Sequence, residues 1–144
     1  MKRIKDNDNA TIVACYIGYI TQAIVNNFVP LLFLTFQSTY QLPLSSITLL
    51  VTVNFAVQLL VDLLSAKWVD RVGYRTAVVF AHGCACGGLV LLTVLPEWFP
   101  SAFAGLLVSV VLYAVGGGLI EVLISPIVQA CPTENKQKAM SLLH

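Results

Sequence analysis

Ala66-Lys67-Trp68-Val69-Asp70-Arg71-Val72-Gly73-Tyr74-Arg75 packs four charges into ten residues, between two long apolar runs. Of the 144 residues in the chain, 58% are hydrophobic and 10% are charged. A soluble domain carries about 25% charged residues. In so apolar a setting, a cluster of charge marks the point where the polypeptide leaves a bilayer and turns back. Reading outward from it predicts an all-α membrane protein.

A helix needs about 20 apolar residues to cross the hydrocarbon core. Two segments before the cluster's end qualify, at about 11–36 and 45–69. Two more follow, at about 76–95 and 103–129. These runs far exceed the roughly 10 residues of a barrel strand and lack strict alternation, so helices are expected. A further apolar stretch from about residue 139 reads as the start of a fifth span, and the chain as a fragment of a longer protein. All eight basic residues fall on one side of this arrangement: Lys2, Arg3 and Lys5, then Lys67, Arg71 and Arg75, then Lys136 and Lys138. By the positive-inside rule that side is cytoplasmic, with the N-terminus inside, in the cell (inner or plasma) membrane. Asn9-Ala10-Thr11 has the form of a glycosylation acceptor, but this topology places it on the cytoplasmic side. The first apolar run is too long for a signal peptide and is followed by no cleavage site.

Several functions are disfavoured at this stage. The basic residues form no long patch, so no nucleic-acid partner is expected. Cys15, Cys84, Cys86 and Cys131 lack the spacing of a zinc site and read as small apolar side chains, with no metal or cofactor. No Ser/His/Asp constellation or phosphate-cradling loop suggests an enzyme.

Polar residues within the spans fall into register. Gly18, Gln22, Asn26 and Pro30 recur every four positions, as do Asn54, Gln58 and Asp62. So do Ser109, Tyr113, Gly117, Glu121, Ser125 and Gln129. Residues four apart share a helix face with about 40° of drift per step. Each helix therefore has one slowly winding polar stripe, and three such stripes can line a common cavity. Interhelical hydrogen bonding is an equal reading for Asn54, Gln58, Ser109 and Ser125. Glu121 stands apart, because a carboxylate within a span is a functional candidate by default. It is expected to carry a proton, be paired or be hydrated. Asp62 is expected to gate, or to pair with Arg71 or Arg75. His82 reads as a satisfied interior histidine or a proton relay. Gly83-x-x-x-Gly87 fits close helix packing, and Gly116-Gly117-Gly118 a flexible or close-packed point. Pro30 and Pro126 are expected to bend their helices.

The opening cluster resembles the loop signature of the major facilitator superfamily, roughly G-x-L-a-D-R-x-G-R-[KR]. Asp70, Arg71, Gly73 and Arg75 match in spacing, while Ala66, Trp68 and Tyr74 depart from it. The resemblance implies four helices of an N-terminal six-helix bundle in a twelve-helix transporter, with further C-terminal helices completing it. It also implies that Asp70 and the basic residues help gate alternating access. Asn26-Asn27-Phe28-Val29-Pro30 and Gly116-Gly117-Gly118-Leu119-Ile120-Glu121-Val122 resemble the fucose permease branch of sugar porters. That branch uses an acid on the fourth span in proton-coupled transport, the place of Glu121. It also uses an acid on the first span, where this chain has Asn26.

The leading expectation is a secondary transporter of a small polar solute such as a sugar, coupled to H+ or Na+ and working within the lipid bilayer. Asn26, Asn27, Asn54, Gln58 and Glu121 are the candidate solute and ion pathway. Asp62, Asp70, Arg71, Gly73 and Arg75 are the candidate gating residues. A self-contained four-helix exporter of the small multidrug type is a second reading, but those proteins carry their essential acid in the first span. A non-transporting membrane scaffold is a third, and it leaves Glu121 without a use.

Overall fold

A computed structural model describes residues 2–131 and Ser141. Five helices follow one another: α1 (Lys2–Leu31), α2 (Phe33–Tyr40), α3 (Leu44–Val72), α4 (Tyr74–Trp98) and α5 (Ala102–Ala130). Among the described residues no strand occurs. Four helices are long and apolar enough to span a membrane: Ala10–Leu31, Leu44–Ser65, Tyr74–Trp98 and Ala102–Ala130. The expected start of a further span near residue 139 lies outside the described residues.

The helix boundaries depart from the sequence reading most clearly at two prolines. The stretch 11–36 is not one continuous helix, because the chain breaks at Leu32. Pro30 has no N–H to continue the ladder. Leu32 instead donates to the Val29 carbonyl at 3.0 Å, a tighter turn than the α-helical one. The short α2 then ends at Gln41, which takes a left-handed conformation with φ 50°. Conversely, α4 runs through Pro96 to Trp98, beyond the expected end near Leu95.

Helix α5 is the centre of the assembly. Its largest interface is with α4, followed by those with α3 and α1. Leu106, Val110, Tyr113, Ile120, Leu123 and Val128 are almost wholly buried along it. Much of the remaining apolar surface faces outward: Ile17, Ile20, Leu59, Leu63 and Val79 are all well exposed. Such a distribution is costly in water but suits a chain whose outer surface meets lipid or further helices.

Small residues set the α4–α5 spacing. A Cβ added at Gly88 would lie 2.5 Å from the Tyr113 nitrogen. One at Gly105 would lie 2.5 Å from the Leu95 carbonyl, and one at Gly116 would collide with Ala85 and with the Ala81 oxygen. Residue numbers fall on one helix as they rise on the other, so α4 and α5 run antiparallel. In lipid, where apolar burial gives helices no advantage over the solvent, close backbone approach of this kind drives association. The glycines expected to do this, Gly83 and Gly87, do not. Gly83 has no atom within 4 Å of such a Cβ, and Gly87 meets only the end of Leu112 at 3.8 Å. Both are rotated away from the line through Ala81, Ala85 and Gly88 that faces α5. The three consecutive glycines at 116–118 are buried and tightly packed.

Candidate functional site: a polar face on α1, α3 and α5

Two hydrogen-bonded groups join the helices around α5. In the first, Gln22 Nε2 on α1 donates to Glu121 Oε2 on α5 at 2.9 Å. In the second, Gln58 Nε2 on α3 donates to Asn26 Oδ1 on α1 at 2.5 Å and to Asn54 Oδ1 at 3.2 Å. Gln22 and Asn26 are four residues apart, so one face of α1 reaches both partners. Asn54, Gln58 and Gln22 are 4%, 6% and 7% exposed. Asn26 is half-buried, and Glu121 is exposed.

Glycine on α5 makes room for this arrangement. A Cβ at Gly117 would lie 3.3 Å from Val25, 3.5 Å from Asn26 Oδ1 and 3.6 Å from Gln58 Nε2. At Gly118 it would press on the Gln58 backbone at 3.2 Å. The amides thus sit directly over the glycine surface of α5, one turn from Glu121. Gly18–Ile124, Gln22–Glu121 and Val25–Gly117 are successive near neighbours, so α1 and α5 run antiparallel.

The α5 stripe divides between two tasks. Ser109 is fully buried and donates to the Gly105 carbonyl at 2.9 Å, and Tyr113 lies against Gly88. This half packs against α4. With the drift of an α-helix, the stripe has turned by Gly117 and Glu121 to meet α1 and α3.

The remaining candidates lie elsewhere. Asn27 points off this face: its Nδ2 donates to the Ala23 carbonyl of its own helix at 2.8 Å, and the residue is exposed. Asp62 is exposed on α3, and among the described residues no ion pair links its carboxylate to Arg71 or Arg75. Asp70, Arg71 and Arg75 are exposed around Gly73, which adopts φ 86° and ψ 147° and alone separates α3 from α4. Gly73 N–H donates to the Val69 carbonyl at 2.8 Å and closes the end of α3.

His82 belongs to a separate groove of about 370 Å³ between α1, α4 and α5, lined also by Cys15, Gly18, Arg75, Ile120 and Ile124. Its Nδ1 lies 2.9 Å from the Val78 carbonyl, so that nitrogen carries the proton and donates. No hydrogen bond joins it to Glu121 among the described residues. Nor does any group of three metal-ligating side chains come together among them.

Gln22 was visible in the sequence only as a member of a polar stripe, not of the candidate pathway. The available signal was the carboxylate itself: a charge in a span requires a donor, and Gln22 was the nearest amide on a stripe of matching period.

Four apolar spans, three of them sharing a hydrogen-bonded polar face with an open carboxylate, define a polytopic membrane protein. A family model for the Major Facilitator Superfamily matches residues 14–144, and the chain belongs to that family, whose members are transporters. No curated protein and no solved structure matches the chain.

Proposed function

We propose that the protein takes part in secondary, alternating-access transport of a small hydroxyl-bearing solute such as a sugar, with Glu121 as the proton carrier. The observation that carries this reading is the pairing of an exposed carboxylate with an amide network on the same face. Gln22, Asn26, Asn54 and Gln58 offer both donors and acceptors, the mixture that a hydroxyl-rich ligand needs. Glu121 is open on one side and held by a neutral amide on the other, so no fixed positive charge on Gln22 locks it in the ionised form. The same proposal places Lys67, Arg71 and Arg75 on the cytoplasmic side and gives Asp70 and Asp62 a part in gating.

A purely structural role for the amides has one observation in its favour. Gln58 spends the two hydrogen bonds of its Nε2 on tying α3 to α1 and to its own preceding turn. In lipid such bonds average about 0.6 kcal/mol. They are weak enough for a solute hydroxyl to replace.

The test is uptake into proteoliposomes under an imposed pH gradient or a Na+ gradient, with a panel of radiolabelled sugars. Glu121→Gln should abolish gradient-driven uptake and leave solute exchange in place. Uptake that persists unchanged in this variant removes Glu121 from the coupling step. Uptake driven by Na+ alone reassigns the ion.

A further inference from the structure

We propose that Gln22 is the positioning residue of the Glu121 carboxylate, holding the acid to α1 in both of its protonation states. The inference rests on the reading of Glu121 as the proton carrier, and it adds a residue and a device to that reading.

Gln22 is buried while its partner is exposed, so the amide is the fixed member of the pair and the carboxylate the accessible one. Packing fixes the place of Gln22. The Gly18–Ile124 approach lies one turn before it, and the Val25–Gly117 approach lies three residues after it. Its Nε2 donates to Glu121 Oε2 at 2.9 Å, while its Oε1 has no partner among the described residues. A buried amide oxygen without a partner is costly. Here it has a use, because it lies on the same side-chain group as the donor already engaged.

A primary amide carries two N–H donors and one carbonyl acceptor on opposite sides of one rotatable bond. When Glu121 is ionised, its oxygens only accept, and the Gln22 N–H donates to them. When a proton from water binds the carboxylate, the acid gains an O–H donor. A half-turn of the amide then presents Oε1 to accept that bond. Release of the proton to water reverses the turn. No other bond is made or broken, and the α1–α5 tie persists throughout. A lysine or arginine at this position would favour only the ionised acid, and an aliphatic residue would hold neither form.

The neighbouring titratable groups are few. On α1, Tyr19 lies within electrostatic reach of Glu121. On α3 the ionisable group within the span is Asp62; α4 carries His82, which lines the separate groove, with Cys84 and Cys86, and α5 itself carries Tyr113. Lys67, Arg71, Arg75 and Glu97 lie near or beyond the ends of the spans.

The experiment is infrared difference spectroscopy of the protein in lipid across a pH titration. It reads the C=O band of the protonated carboxyl, assigned to Glu121 by its loss in Glu121→Gln. In the native sequence the band should fall at the frequency of a hydrogen-bonded acid. Gln22→Met is close in shape but has no amide. It removes the donor that the ionised acid uses and the acceptor that the protonated acid uses. It should shift the band to the frequency of an acid lacking that bond. If no band depends on Glu121 at any pH, the proton-carrier reading itself fails. If the band has the same frequency in both proteins, Glu121 keeps its role and Gln22 loses the one assigned here. Should Gln22→Met not fold, the native band still decides: a frequency typical of a free acid overturns the proposal.

Discussion

Gly83 and Gly88 lie on the same helix, yet only one of them is required by its neighbours. A methyl group at Gly88 would overlap the Tyr113 backbone, whereas at Gly83 it would meet nothing within 4 Å. Backbone atoms cannot step aside as a flexible side chain can. Gly88→Ala should therefore destabilise the protein by about 1–3 kcal/mol. Gly83→Ala should be neutral or stabilising by up to about 1 kcal/mol, since alanine is the better helix former. Thermal unfolding in detergent, with both variants run beside the native protein, checks the contrast; equal effects would mean that α4 faces α5 with a different side. The pair also explains why the sequence reading chose the wrong glycines here. A G-x-x-x-G spacing shows that two small residues share a face, but not which way that face points. The rotation of α4 is set by the whole run of Ala81, Ala85 and Gly88 against α5. The polar stripes suffered less from this ambiguity, because the cost of burying Asn54, Gln58 and Gln22 without partners leaves few allowed orientations. Their shared face was legible, although the particular bonds were not.

At the scale of elements, two of the links each hold a residue with positive φ. Gly73 joins α3 to α4 at φ 86° and ψ 147°, a region essentially closed to residues with a Cβ. Space is not the obstacle, since a Cβ there would meet no atom within 4 Å. The cost is conformational, and Gly73→Ala should lower stability by about 1–3 kcal/mol. Gln41 closes α2 at φ 50° without being glycine. Gln41→Gly should change stability little, because relief of the left-handed strain is offset by the greater freedom that glycine has in the unfolded chain. Comparing the two melting curves with the native one tests both statements. A Gly73→Ala protein as stable as the native would show that the link has another accessible path. The glycine in the charged loop was legible from its spacing. The break at Leu32 was not, because an internal proline signals a disturbance without saying whether the helix bends or ends. Pro96 and Pro126 lie inside helices that continue, whereas the chain leaves α1 just after Pro30. What differs is the support on either side. α5 is enclosed by its neighbours along much of its length, while Leu31 and Leu34 beside the break are about 80% exposed.

At the scale of the molecule, α5 is held in two unlike ways. Its α4 side is a close backbone contact through glycine and alanine, with no room for adjustment. Its α1 and α3 sides meet it largely through side chains, Gln22 among them. A tightly packed pair bordered by two helices that meet it through side chains is the body that the proposed alternating access would move. The end of that body proposed to face the cytoplasm is the one that carries the basic charge. Lys67 and Arg71 are exposed near the α3–α4 link, whereas Glu97 is exposed at the far end of α4. Moving a lysine or arginine through the hydrocarbon core costs about 2.5–3.5 kcal/mol, so a basic link tends to stay on the side where it is made. Cysteine labelling tests this proposed orientation. Cys15, Cys84 and Cys131 are buried, and Cys86, which is exposed on α4, is first replaced by alanine. In intact cells a membrane-impermeant maleimide should then label Glu97→Cys. It should label Lys67→Cys and Arg71→Cys only after the membrane is permeabilised. The reverse pattern would turn the protein over and put the charged link outside. Labelling of all three in intact cells would mean that the spans between them do not separate the two compartments.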